Sequence, residues 1–433
     1  MKKFALISVA LLHLPATGFS LGFRLADMDA FATGRGDAFT ATADNPSAIY
    51  YNPAGITQLD DLSLRLGGYG IALKSKFKPE SEDGKGVQSI DKIQATPSFY
   101  LTYHPKKQPV AFGVGVYSPY GLGMEYPDDA QFRTFARKGQ IAYLTTNPVV
   151  AVQVSRTLSV AAGLTVNHAQ TELQQGIAAR GDSFKFKGAG TALGFTLGAL
   201  WQPLPQHSFG LKYHSAAEHT FSGHSSAKLS DQQRAEIREG NAQIRRLQHD
   251  LGPAADDILR SQGLPPEGYP EGFPEEDAHA DLRFPQFIIV GYSFRPTPDW
   301  NFEVNVDWTD WDSLDDVTLH QQTSPNVVIP FNYDSSFIWE FGATRYFKNG
   351  MHLSAGYIYS EASVSESNFS PAVPDSDRHL FTTGVGYKAA GYSFDIAYQL
   401  GYGPSRTINN DTVADGEYRF LSHAITVSLG YQF

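Results

Sequence analysis

Residues 418–433 read Tyr-Arg-Phe-Leu-Ser-His-Ala-Ile-Thr-Val-Ser-Leu-Gly-Tyr-Gln-Phe. Taken alternately, one set is Leu421, His423, Ile425, Val427, Leu429, Tyr431 and Phe433. The other is Ser422, Ala424, Thr426, Ser428, Gly430 and Gln432. Successive side chains of a strand point to opposite faces. This stretch therefore has an apolar face, interrupted by His423, and a small, polar face. A soluble sandwich could use such a strand. A strand with lipid on one side and a lumen on the other fits at least as well.

The pattern recurs along the chain. Phe302, Val304, Val306 and Trp308 oppose Glu303, Asn305 and Asp307, and Phe394, Ile396, Tyr398, Leu400 and Tyr402 oppose Asp395, Ala397, Gln399 and Gly401. Such segments fall at 61–75, 94–104, 109–118, 141–155, 158–175, 188–203, 206–224, 282–295, 299–319, 334–348, 351–366, 378–388, 391–403 and 418–433. That is about fourteen strands, an even number, and most reach the roughly 9–11 residues that cross the hydrocarbon at a tilt. Every second connection is short, as at 156–157, 204–205 and 349–350, while the others, such as 119–140 and 225–281, are long. Outer-membrane barrels keep short turns in the periplasm and long loops outside, so both termini are expected to be periplasmic. Trp300, Trp308, Trp311, Tyr402 and Tyr431 fall where amphipathic rings would meet the membrane interfaces. The expected fold is all-β, a transmembrane antiparallel β-barrel of about fourteen strands. The alternative, two soluble sandwiches, would need apolar inner faces that these strands lack.

The compartment follows from the start of the chain. Met1-Lys2-Lys3 precedes an apolar run from Phe4 to Leu14, and small residues lead out to Gly18-Phe19-Ser20. This reads as a secretory leader over residues 1–20, with an ordinary buried helix as the alternative. The chain has no cysteine, which excludes disulfides and thiolate chemistry. A net charge of −11 argues against nucleic acid. No metal-ligand spacing or nucleotide loop appears, and no cofactor is expected. His207-Ser208, His214-Ser215 and His224-Ser225 are strand neighbours on opposite faces, so catalysis is not expected.

Residues 21–60 do not alternate. They are rich in alanine and punctuated by glycine, and Asp44-Asn45-Pro46 and Asn52-Pro53-Ala54-Gly55 are turn or helix-start signals. Forty residues are too few for a core of their own, and a barrel lumen is the available place for them. The division is thus a leader, a small helical insert over 21–60, and a barrel over 61–433. Loop 225–281 should hold a helix that starts with Ser230 and Gln233 as a capping box, carries Ile237, Ile244, Leu247 and Leu251 on one face, ends at Gly252-Pro253, and packs on loop 119–140.

Leu21-Gly22-Phe23, Gly34-Arg35-Gly36-Asp37-Ala38-Phe39, Ala43-Asp44 and Asn52-Pro53-Ala54-Gly55 resemble, in this order, the amino-terminal hatch of FadL-type outer-membrane transporters. Gly115–Gly123, Asn147–Ala151, Trp308-Thr309-Asp310-Trp311 and Pro374–Arg378 resemble later family positions, so the likeness spans the mature chain. The terminal Phe433 resembles the signal read by the barrel assembly machinery. The resemblance implies a monomeric carrier of long-chain fatty acids in the outer membrane of a Gram-negative bacterium, in contact with outer-membrane lipids.

It also implies particular roles. Phe23 would sit beside the ligand, or serve as a plain apolar anchor. Asn52, Pro53 and Ala54 would form the hatch motif, with Asn52 meeting an inward kink in strand three. Gly113 and Gly115 would mark that kink and a lateral gap, or be ordinary barrel glycines. Tyr120, Leu122, Met124, Tyr126, Phe132 and Phe135, with Ile237, Ile244 and Leu247 of the loop helix, would capture a hydrophobic small molecule, or merely cap the barrel. A carboxylate wants a buried cation, and between Leu158 and Gln175 only His168 offers one. Neutral aromatic hydrocarbons are therefore a competing cargo. A general porin or surface adhesin is a further alternative, against which an insert in the lumen counts.

Overall fold

A computed structural model describes residues 23–80 and 84–433, and the leader over 1–20 lies outside them. Fourteen antiparallel strands run as a meander and close on themselves. They are β1 (Asp61–Pro79), β2 (Ile93–His104), β3 (Val110–Tyr117 and Gly121–Glu125), β4 (Lys138–Gln153), β5 (Leu158–Gln175), β6 (Ser183–Leu204) and β7 (His207–His214 and Ala217–Lys228). Then come β8 (Phe273–Phe284 and Phe287–Thr297), β9 (Trp300–Thr309 and Val317–Gln321), β10 (Val327–Ile329 and Ser336–Tyr346), β11 (Met351–Ser360), β12 (Arg378–Ala389), β13 (Tyr392–Ile408) and β14 (Gly416–Gln432). Closure joins β1 to β14 from Ser63↔Gln432 to Pro79↔Gly416.

The two faces divide as the alternation requires. Phe394, Ile396 and Tyr398 of β13 point out, and Asp395, Ala397 and Gln399 are buried inside. On β14, Ile425 and Leu429 are more than half exposed on the outside, while Thr426 and Ser428 are buried. Only the inner set can hydrogen-bond within the lumen, and only the outer set suits hydrocarbon.

Residues 23–60 lie inside the cylinder. Helix α1 (Ala30–Thr33) is capped by Asp29, whose side chain accepts from Phe31 N. Helix α2 (Ala48–Tyr51) leads into a 3-10 turn, Pro53–Gln58, where Asn52 accepts from Ala54 N. Phe39, Ile49, Tyr50, Tyr51 and Ala54 are buried. Wall glycines let this backbone come close: a Cβ on Gly356 would collide with the backbone of Gly36.

The inward acids hold the segment in place. Arg24 pairs with Asp307 at 2.5 Å, and Arg35 reaches Glu303 at 3.5 Å. Glu303 also accepts from Ala41 N at 2.7 Å and Thr42 N at 3.0 Å. Arg65 of β1 bridges Asp29 of the segment to Asp395 of β13. Buried charges are tolerated when paired in this way.

The loop helix forms as its sequence indicates. Helix α3 (Asp231–Leu251) begins with a reciprocal cap, Gln233 N to Ser230 Oγ at 3.2 Å and Ser230 N to Gln233 Oε1 at 2.7 Å. Ile237 and Ile244 are buried and Leu247 is half-buried, but Leu251 is exposed. The helix packs on a second one, α4 (Ala254–Ser261). Its link to loop 119–140 is polar. Asp182 accepts from Gln233 Nε2 at 3.1 Å and from Arg133 Nη1 at 2.9 Å.

Candidate functional site: a lumenal cavity and a gap in the wall

β3 is where the wall departs from regularity. Its first part pairs with β2 from Phe99↔Val116 to Tyr103↔Phe112. Ser118, Pro119 and Tyr120 then leave the ladder, and Gly121–Glu125 pairs with β4 alone. Residues 93–98 of β2 keep β1 on one side and, among the described residues, have no strand partner on the other. Pro119 has no N–H to give a neighbouring strand, which accounts for a break there.

The insert takes the place of the missing strand. Leu25 N donates to Pro119 O at 2.8 Å, Gly121 N donates to Phe23 O at 2.7 Å, and Arg24 and Tyr120 form an antiparallel bridge. Tyr120 reaches across the lumen to donate to Pro285 O at 2.6 Å. Gln94 of β2 spans the gap from the other side, donating to Gly123 O at 2.7 Å.

The gap is a cavity of about 590 Å³. A second cavity, of about 140 Å³, lies behind it in the lumen. Leu25, Ile71, Leu73, Gln94 and Met124 border both, so the two are contiguous. Ile338, Ile358, Leu380 and Phe420 extend the apolar wall of the inner one. Phe23 borders it too, buried edge-on against Trp311 at 4.9 Å and Phe284 at 5.3 Å between ring centres.

The inner cavity also holds a cation. The Arg378 guanidinium lies 3.6 Å over the Phe420 ring, and its only hydrogen bond among the described residues is a long one, 3.5 Å, to Pro374 O. Its Nε has no hydrogen-bond partner, and among the described residues no carboxylate lies within salt-bridge distance, although the buried Asp375 carboxylate is near enough to attract it. Asp27 and Asp37 face the same space. Burial pushes both carboxyls up, Asp37 most, because Asp27 lies beside it.

Several expected contacts fall elsewhere. Asn52 does not reach strand three: its Nδ2 donates to Ala199 O of β6 and to Thr40 O, each at 2.9 Å. Ile49 and Tyr50 of α2 are the residues that meet β3, Tyr50 edge-on to Tyr117. A Cβ on Gly113 or Gly115 would stand 2.8 Å from Ile49 carbons. Those glycines admit the insert, and the break itself lies at Ser118–Tyr120 beyond them. Pro53 starts the 3-10 turn and Ala54, its second residue, is buried.

The loop residues do not form an exposed groove. Tyr126 and Phe132 are buried in an aromatic cluster with Phe77 and Tyr418. Tyr120 is buried at the break, Met124 lines the cavities, and Phe135 packs against the core. Leu122 lies in the second part of β3. Ile237, Ile244 and Leu247 stay on α3, apart from the aromatic cluster. Apolar side chains gathered in one loop bury one another where the chain lets them. Arg378 was legible only as part of a motif. Pro119 inside a strand was a readable signal for the break.

Known proteins share this architecture. A solved FadL homologue of Pseudomonas aeruginosa superposes with a TM-score of 0.75 at 19% identity, over 97% of this chain and 99% of that one. The toluene transporter TbuX of Ralstonia pickettii superposes at 0.66 with 14% identity, over 94% and 98%. Outer membrane protein P1 of Haemophilus influenzae is 21% identical over the full length of both chains. Residues 14–433 match the family described as outer membrane protein transport protein (OMPP1/FadL/TodX). The chain belongs to that family of Gram-negative outer-membrane barrels, which transport hydrophobic substrates.

Proposed function

We propose that this chain carries long-chain fatty acids inward across the outer membrane. The long loops face the outside and both termini face the periplasm. Loops 119–140 and 225–281 part to admit the ligand, whose chain then lies along the apolar cavity beside Phe23. The ligand leaves sideways through the β2–β3 gap, down its own gradient, into hydrocarbon where its chain is equally stable. Ligand binding biases the insert between two positions by its differential affinity for them.

The observation that carries the choice of cargo is Arg378. An under-bonded guanidinium over an aromatic ring, at the end of an apolar cavity, is a carboxylate site with room for a chain. Neutral aromatic hydrocarbons remain the rival cargo, since TbuX is described as a toluene transporter. Cells lacking their own transporters and expressing this chain are given a radiolabelled saturated fatty acid or radiolabelled toluene. Saturable uptake of the acid that excess toluene leaves unchanged is expected. Saturable uptake of toluene alone overturns the assignment.

A further inference from the structure

On the outer face of the barrel, above the apolar belt, three lysines share one carboxylate. Lys138 of β4, Lys185 and Lys187 of β6 approach Glu172 of β5 at 2.9, 3.2 and 3.3 Å. The register stacks them in two adjoining rows, Gln140–Glu172–Lys187 and Lys138–Gln174–Lys185. Below, the outward residues become Leu164, Leu193, Phe195 and Leu197, all well exposed. Glu172 lies four residues past His168, the last row that carries a large apolar neighbour, Leu144. At about 3.3 Å per residue and a tilt near 40°, that is roughly 10 Å in height above the hydrocarbon edge.

The charge count is unusual for this chain. Elsewhere on the loop side, Lys74 pairs with Asp91, Lys92 with Glu125, and Lys85 shares Asp129 with Arg180, while Lys76, Lys78 and Lys228 make no salt bridge among the described residues. Here three ammonium groups contact one carboxylate in a chain whose net charge is −11; the neighbouring acids, Glu125 beside Lys138 and Asp277 beyond His224, are engaged by Lys92 and His224. Like charges held this close repel unless an anion joins them. An anion that comes with acyl chains would satisfy the lysines above and cover the apolar rows below.

We propose that Lys138, Lys185 and Lys187 hold a phosphate of a lipid A headgroup in the outer leaflet, with its acyl chains lying over Leu164, Leu193, Phe195 and Leu197. Basic clusters at a membrane surface select phosphorylated headgroups in this way. Lys138 and Gln140 also border the gap between β2 and β3, so the lipid stands at its lip. The choice of lipid A over an inner-leaflet phospholipid rests on the orientation given above, with the long loops outside.

The test is native mass spectrometry of the delipidated, detergent-solubilised barrel, titrated with diphosphorylated lipid A, its dephosphorylated form, or phosphatidylglycerol. Wild type should retain diphosphorylated lipid A at least about tenfold better than either of the other two, and K138Q/K185Q/K187Q should lose that preference. Retention unchanged in the triple variant, or matched by phosphatidylglycerol, overturns the site. Should the triple variant not fold, the exposed Lys187→Gln alone is expected to weaken retention about threefold, and an unchanged value counts against the proposal. A cysteine at Ser261, probed on whole cells with an impermeant thiol reagent, reads the orientation separately. An error in orientation and an error in the site thus give different results.

Discussion

Arg24 of the lumenal segment and Tyr120 of the third strand form an antiparallel bridge, flanked by hydrogen bonds from Leu25 N to Pro119 O and from Gly121 N to Phe23 O. The front of the segment therefore stands where a wall strand would otherwise pair. Movement of the one must change the other, and both border the inner cavity and the gap. Opposed residues in such a pair lie within disulfide reach. The chain has no cysteine of its own. In R24C/Y120C the oxidised protein is expected to lose uptake and the reduced protein to recover it, with the reduced form as control for lost side chains. Equal uptake in both forms would show that transport does not need this bridge to part.

Gly113 and Gly115 face Ile49 at a distance that leaves no room for a methyl group. Gly113→Val and Gly115→Val should therefore unseat α2 and reduce uptake, while the barrel still reaches the surface. The double variant Gly113→Ala with Ile49→Ala isolates the contact. Its resistance to heating in SDS should exceed the sum of the single effects, a coupling of about 1 kcal/mol. Strict additivity would place the cost elsewhere.

The insert is held by charge as well as by packing. Truncating Asp29 leaves Arg65 buried with Asp395 alone, and Asp29→Ala is expected to cost about 3 kcal/mol in unfolding experiments. Deleting residues 21–60 removes the filling altogether. In planar bilayers the deleted protein should conduct steadily where the full chain does not. Equal conductance would rule out a plug.

Strand number, strand order and the short turns were legible because a barrel wall repeats every two residues and each repeat obeys one solvent rule. Phe394 out and Asp395 in can be read without knowing their neighbours. The reach of Asn52 could not be read, because it depends on which wall strand curves under the insert, and Ala199 of β6 is distant in sequence. Alternation places Glu303, Asp307 and Asp395 inside but says nothing of their partners, which are Arg35, Arg24 and Arg65. The burial of the loop aromatics was not legible, because alternation says nothing about how Phe77 and Tyr418 cover Tyr126 and Phe132.

Asp182 ties the long loops together. Burial alone would raise its carboxyl, but the N–H groups of Ala179, Ile177 and Ala178 and the Arg133 guanidinium hold it below the usual range. A carboxyl depressed on folding stabilises above its unfolded value, near 4, and that contribution fades as pH falls through the folded value. Hydrogen exchange at 127–137 and 176–182 should therefore quicken below about pH 4, while barrel amides stay protected. Asp182→Asn should show the fast exchange already at neutral pH. Loops equally protected in both proteins would remove Asp182 from this role.

Arg378 separates the two cargoes. Its guanidinium has spare donors beside an apolar cavity, and a charge-assisted hydrogen bond is worth about 1.5–3 kcal/mol. Arg378→Met keeps most of the stem that covers Phe420 and deletes the charge. Binding of a fatty acid should weaken about 10- to 100-fold, while binding of the corresponding fatty alcohol changes little. Arg378→Lys keeps a charge but loses the planar fork, so it should recover only part of the affinity. Equal losses for acid and alcohol would mean that the substitution had collapsed the cavity. No loss for either would remove Arg378 from the site and leave a neutral hydrocarbon as the better cargo.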